Sequence, residues 1–193
     1  MNAHSSAPLI TASNPRVVVV GATGSGKTTT AAQLSRLLDI PHVELDSLHW
    51  MKDWVAVDLE PFRSKVTDAL AGPTWVTDGN YGKARDIIWG RATTLIWLDY
   101  PLPVIVWQLF VRTMRRVITR EELWNGNHET IRGTFFSRDS LLIYILQSQP
   151  RQRREFPQLF NSAAYSHLQV LHFHARRETT EWLLQMGRDL KKS

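Results

Sequence analysis

Short apolar runs separated by amphipathic, helix-length stretches recur along the chain, a pattern that predicts an α/β fold built on a parallel sheet. The first run, Arg16 to Val20, holds four consecutive valines, apolar on both faces as a buried central strand requires. A helix is expected from Gly26 to about Leu38, then a second strand from His42 to Leu45 ending at Asp46. Asp58 has the character of an N-cap, Pro61 fits a first helical turn, and Gly72-Pro73 stops that helix after Ala71. Strands are read at Thr74 to Thr77, closing on Asp78-Gly79, and at Thr94 to Leu98, closing on Asp99. Pro101 and Pro103 open a long helix through about Arg116. Val117 to Thr134 has weak periodicity and contains Asn125-Gly126, so a mobile loop or lid is expected over about 117–136. A helix from Ser137 to about Gln147, a fifth strand from His167 to Phe173 and a last helix from Thr179 to Leu190 complete the reading. The expectation is a three-layer P-loop NTPase fold: a five-stranded parallel sheet, a helical arginine-rich lid, and one domain over 16–193 behind a loose polar tail at 1–15.

Gly21, Asp46, Asp78 and Asp99 fall at successive strand ends, and open α/β sheets bind ligands beyond the carboxyl ends of their strands. The first of these ends opens Gly21-Ala22-Thr23-Gly24-Ser25-Gly26-Lys27-Thr28, the G-x-x-x-x-G-K-T spacing. Glycines let the backbone curl with its N–H groups turned inward around an anion, and the following helix adds its positive N-terminal end. Gly21 to Thr29 are therefore the expected contacts for ATP, with Lys27 on the β- and γ-phosphates and the Thr28 hydroxyl on Mg²⁺. Such a loop needs a carboxylate behind the metal, for which Asp78 and Asp99 compete. Asp78 is preferred because the following Gly79 allows close backbone approach; Asp99 has the alternative role of capping the helix after it. Asp46 is a candidate base for an acceptor hydroxyl, and as a strand residue it would share a face with Glu44.

The net charge of +5 points to an anionic partner, with nucleic acid and phosphorylated metabolites both open. Its distribution says more. Arg112, Arg115 and Arg116 are spaced to line one helix face leading into the expected lid, where closing arginines would meet transferring phosphate. Arg151, Arg153 and Arg154 read as plain surface after Pro150, and Arg138 lies between the two groups. Of the eight tryptophans, Trp75, Trp97 and Trp107 read as core, while Trp50, Trp54 and Trp124 fall in loops beside the site. His172 and His174 share a strand face like a metal pair but have no third ligand nearby in sequence. The chain has no cysteine, which excludes disulfides and thiolate zinc sites and suits a cytoplasmic protein. The longest apolar stretch, Val104 to Val111, is broken by Gln108 and is too short to cross a bilayer, so no membrane partner is expected.

His42-Val-Glu-Leu-Asp46-Ser-Leu-His-Trp50, Trp75-Val-Thr-Asp78-Gly-Asn-Tyr-Gly82, Leu95-Ile-Trp-Leu-Asp99 and Leu123-Trp-Asn-Gly-Asn127 resemble the adenylate-kinase-related proteins known as DNA topology modulation proteins. The resemblance extends over nearly the whole chain from Val17 and implies a nucleoside-monophosphate-kinase-like fold with a lid. Asp78-Gly79 is similar to the start of the Asp-Gly-Phe-Pro-Arg segment of adenylate kinases, whose aspartate supports Mg²⁺; here Asn80-Tyr81-Gly82-Lys83 replaces the part that holds AMP. Arg112 and Arg116 resemble the arginines before the adenylate kinase lid, and Asp46 the acidic strand end that meets an acceptor hydroxyl in shikimate-type and deoxynucleoside-type kinases. The expected function is Mg·ATP-dependent phosphoryl transfer to a small acceptor. The rivals are a nucleotide-gated regulator that binds DNA, in line with the family's name, and a plain NTPase.

Overall fold

The computed structural model describes residues 9, 10, 12–136 and 140–191; most of the expected N-terminal tail, the predicted helix start at Ser137 and Arg138 lie outside them. Five parallel strands form one sheet in the order β2-β3-β1-β4-β7: β1 is Arg16–Gly21, β2 His42–Glu44, β3 Trp75–Asp78, β4 Thr94–Leu98 and β7 Gln169–Phe173. The valine-rich β1 sits at the centre, fully buried from Val17 to Val20, because only a strand covered on both faces stabilises by placing apolar residues on each. Its register partners are Trp75 to Asp78 on one side and Thr94 to Leu98 on the other. The chain leaves β1 for β2 and β3 on one flank and returns later for β4 and β7 on the other. That reversal beside β1 is where such sheets open a crevice.

Alternating side chains divide the interior into two cores. Val17, Val19, Ile96, Leu98 and Leu171 pack against α1 (Lys27–Leu38), α5 (Leu102–Thr119) and α7 (Arg176–Leu190). Val18, Val20, Leu95 and Trp97 pack against α3 (Leu59–Ala69) and α4 (Arg85–Arg91). Helix α6 (Leu141–Phe160) serves both, with Ile145 in the first core and Phe156 in the second.

The architecture of a five-stranded parallel sheet flanked by helices is as expected; several elements differ in detail. β2 stops at Glu44, and a five-residue helix, α2 (Leu45–His49), begins at once. Asp46 therefore stands in the first turn of a helix, not on a strand face shared with Glu44. Asp58 occupies the N-cap position of α3, but its side chain makes no capping bond. Helix α4 was not foreseen, α5 runs on to Thr119, and α7 starts at Arg176, with Glu178 accepting from the backbone N–H groups of His174 and Ala175. Helix α6 continues through Pro150 and Pro157 instead of stopping near Gln147. After α5 comes a small hairpin of β5 (Glu122–Leu123) and β6 (Asn127–His128), then a π-helical turn at Arg132–Phe136. Trp107 is exposed on α5, against the core position expected of it. Among the described residues no helix is long and apolar enough to cross a membrane.

Candidate active site

The loop after β1 is shaped by three glycines with positive φ. Gly21, at +150°, has no room for a side chain, since a Cβ there would meet the Leu98 carbonyl oxygen at 2.5 Å. Gly24 and Gly26 turn the chain through the left-handed region into α1, whose first-turn N–H groups lack intrahelical partners and face the loop. Asn80 braces the entry. Its side chain accepts from the Gly21 N–H at 3.1 Å and donates to the Gly21 carbonyl at 2.5 Å, bonding both backbone groups of the loop's first residue to the segment after β3. Lys27 folds back to donate to the Ala22 carbonyl at 3.1 Å. Burial lowers the pKa of its ammonium, while Asp46 and Asp78 raise it, so both carboxylates share its surroundings.

Thr28 donates its hydroxyl to Asp78 Oδ2 at 2.6 Å, and His42 Nε2 lies 2.9 Å from the other carboxylate oxygen. Asp78 is 5% exposed, so an ionised carboxylate there needs such partners. A hydroxyl at the start of α1 paired with a buried carboxylate is a hard oxygen donor set, and it fits Mg²⁺, which takes one or two carboxylates and keeps its other positions for phosphate and water. Asp99 is differently engaged. Arg153 Nε donates to its Oδ1 at 2.6 Å and His172 Nε2 lies 3.4 Å from its Oδ2, while Pro101, two residues on, is the N-cap of α5. Asp99 therefore does not cap α5, and Arg153, at the surface as expected with its side chain 46% exposed, reaches back to hold it.

Asp46 accepts a short hydrogen bond from the Tyr81 hydroxyl, whose pKa is raised by burial and by the Asp46 charge. His49, one turn after Asp46, packs edge-on against Phe62 and close to Tyr81, and its Nδ1 is buried without a hydrogen-bond partner. Burial lowers its pKa, favouring the neutral ring. Sequence reading passed over Tyr81, Asn80 and His49; the Asp-Gly-Asn-Tyr run was the available signal for the first two.

The arginines of α5 separate into two groups. Arg112 Nη2 and Arg116 Nη1 both donate to Glu129, at 3.0 and 3.1 Å, whereas Arg115 is exposed and bonds Glu121 at 2.9 Å. Burial lowers the Arg112 pKa and Glu129 opposes that shift; Arg112 also feels Asp46, and its Nε is buried without a partner. For Glu129, burial alone would raise the carboxyl, but Arg112 and Arg116 hold it below its ordinary value. The hairpin then docks on the loop after α2. Trp124 Nε1 donates to Glu44 at 2.8 Å, Asn125 to the Trp50 carbonyl at 2.5 Å and Asn127 to the Met51 carbonyl at 2.8 Å; Asn127 Oδ1 accepts from the Trp54 N–H at 2.9 Å.

The carboxyl edge of the parallel sheet thus gathers a glycine turn and, around Lys27, the charges of Asp46, Asp78 and Arg112. No family model and no curated protein sequence matches the chain. Solved structures do. A gluconokinase from Sinorhizobium meliloti 1021 superposes with a TM-score of 0.50 at 16% identity, covering 93% of this chain and 97% of that one. A shikimate kinase from Bacteroides thetaiotaomicron gives 0.51 at 15% identity, covering 92% and 98%. The chain shares their fold. At such identity the likeness is one of architecture, spanning both chains almost end to end.

Proposed function

We propose that this protein is a small P-loop kinase that transfers the γ-phosphoryl group of ATP to a hydroxyl of a small acceptor. The observation that carries the reading is the 2.6 Å bond between Thr28 Oγ1 and Asp78 Oδ2, because it joins the start of the phosphate-cradling helix to a buried carboxylate on the neighbouring strand. Thr28 and Asp78 would hold Mg²⁺, which would supply positive charge against the phosphate oxygens. The N–H groups from Gly21 to Thr29 cradle the polyphosphate, and Lys27 moves from the Ala22 carbonyl to the oxygens of the transferred group. Arg112 and Arg116 add charge from the far wall, Arg115 lies further out, and the 117–136 segment acts as the covering lid. Asp46 orients the acceptor hydroxyl and takes its proton as the new O–P bond forms and the bond to ADP breaks. Tyr81 holds the Asp46 carboxylate in place.

A hydroxyl acceptor fits Asp46 and fits the two structural neighbours, which are named as kinases of gluconate and shikimate. A nucleotide acceptor would follow more naturally from the adenylate-kinase side of the sequence resemblance. The test is ADP release from Mg·ATP across polyols, sugar acids and nucleoside monophosphates, with acceptor-stimulated turnover expected for one hydroxylated class. A flat response across the panel would end the kinase reading. Lys27→Ala should lower kcat by about 10²–10³. The rival tied to DNA topology modulation rests on the net charge of +5 and would appear as salt-dependent duplex binding with turnover indifferent to every acceptor.

A further inference from the structure

On the other side of Asp99 from the phosphate loop, β4 and β7 end beside each other, with Trp97 paired to His172 and Leu98 to Phe173. Asp99, His172 and His174 each turn one ligand atom to a common point, and the three atoms lie within 4.8 Å of one another. Asp99 Oδ2 stands 3.4 Å from His172 Nε2 and 3.9 Å from His174 Nδ1. Two ligands on a tetrahedral zinc ion are about 3.3 Å apart, given metal–ligand bonds of about 2.0–2.1 Å. The carboxylate edges of the triangle are close to that spacing already.

The surroundings are those of a held site. Arg153 Nε occupies Asp99 Oδ1 at 2.6 Å, leaving Oδ2 turned to the imidazoles, and such outer hydrogen bonds fix ligating carboxylates. His172 lies flat on Trp97, ring centres 3.9 Å apart and planes within 7°, which limits rotation of its ring. His174 is the exposed member, its side chain 64% exposed. The triad opens onto a cavity of about 540 Å³ bounded by Trp97, Arg153 and Phe160, so a fourth coordination position would face solvent.

We infer that Asp99, His172 and His174 form a second metal site, separate from the Thr28–Asp78 oxygen pair, that takes a transition-metal dication such as Zn²⁺ or Co²⁺ through two imidazoles and one carboxylate. Imidazole nitrogen selects these ions, whereas Mg²⁺ prefers oxygen. A metal here ties the end of β4, which runs into α5, to the end of β7, which runs into α7. Its binding therefore adds to the stability of the folded chain.

The experiment uses untagged, chelator-stripped full-length protein titrated with Co²⁺ in excess Mg²⁺, which keeps the oxygen pair filled. One equivalent is expected, with the visible absorption of imidazole-bound Co²⁺ and a Tm that rises on binding. His172→Ala, His174→Ala and Asp99→Asn should each weaken binding by at least about tenfold, and His128→Ala should not. Because His174 is exposed, His174→Ala is the variant that leaves the core intact. Absence of saturable binding, or an isotherm unchanged in both His172→Ala and His174→Ala, would overturn the assignment. Loss of ATP turnover would not bear on it.

Discussion

Single side chains set the entrance of the site. At Gly21 a Cβ would stand 2.5 Å from a backbone oxygen of β4, and backbone cannot swing aside as a side chain can. Gly21→Ala should lower unfolding stability by about 2–4 kcal/mol in urea titration, with loss of ATP affinity, because the turn itself must shift. Under the proposed mechanism, removal of Asp46 should separate chemistry from donor binding. Asp46→Asn should lower kcat by about 10²–10⁴ and leave ATP affinity nearly unchanged; an equal loss in both would make Asp46 a binding residue. Tyr81→Phe should give a smaller drop in kcat, with its pH profile displaced, since the hydroxyl acts only through Asp46. The Gly-Lys-Thr spacing made Lys27 and Thr28 legible because the reason for it is local: a turn, an anion and a helix start. Asp99 with Arg153 is a contact across 54 positions, and no local rule joins them.

At the scale of elements, α6 shows why part of the fold was hidden. Its buried stripe runs Ile145, Ser148, Gln149, Gln152 and Phe156, so the face turned inward carries polar residues at its middle positions. Gln149 donates to the Tyr100 carbonyl at 2.8 Å, which offsets the cost of burying it, and the run of apolar positions on that face is interrupted over 148–152. Pro150 and Pro157 each remove a backbone donor from a helix that packing nevertheless holds together. By contrast β1 from Val17 onward and the whole of β4 are buried and read plainly as largely apolar runs. The hairpin offers a test at this scale. Asn127 is 3% exposed and bonds Met51, Trp54 and Trp124. Asn127→Ala should remove those bonds to partly buried backbone groups at a cost of about 1–2 kcal/mol. Hydrogen exchange should accelerate together over 50–56 and 122–128, and acceleration of only one segment would mean that the two are not coupled.

Across the whole molecule the positive charge is compensated unevenly, and Glu129 is the counterweight on the far wall, its side chain 5% exposed between Arg112 and Arg116. A carboxyl held below its ordinary 4.5 stabilises the fold above that pH and loses its contribution as the pH falls through its lowered value. Wild type should therefore exceed Glu129→Gln by about 2 kcal/mol near neutrality, and the two Tm curves should converge below about pH 4.5. Parallel curves over that range would show that Glu129 is not ionised in this role. The layered sheet could be read from the alternation of runs, while the docking of the hairpin on the loop after α2 could not, because it depends on two loops meeting through side-chain amides. That meeting has a mechanical result. Asn125 and Asn127 fasten the turn at 124–126 to the backbone at 50–51, so the stretch that follows Asp46 and the stretch that leads to Glu129 are tied to each other. Under the proposed kinase reading, a reactant that displaces one of these stretches is expected to displace the other with it.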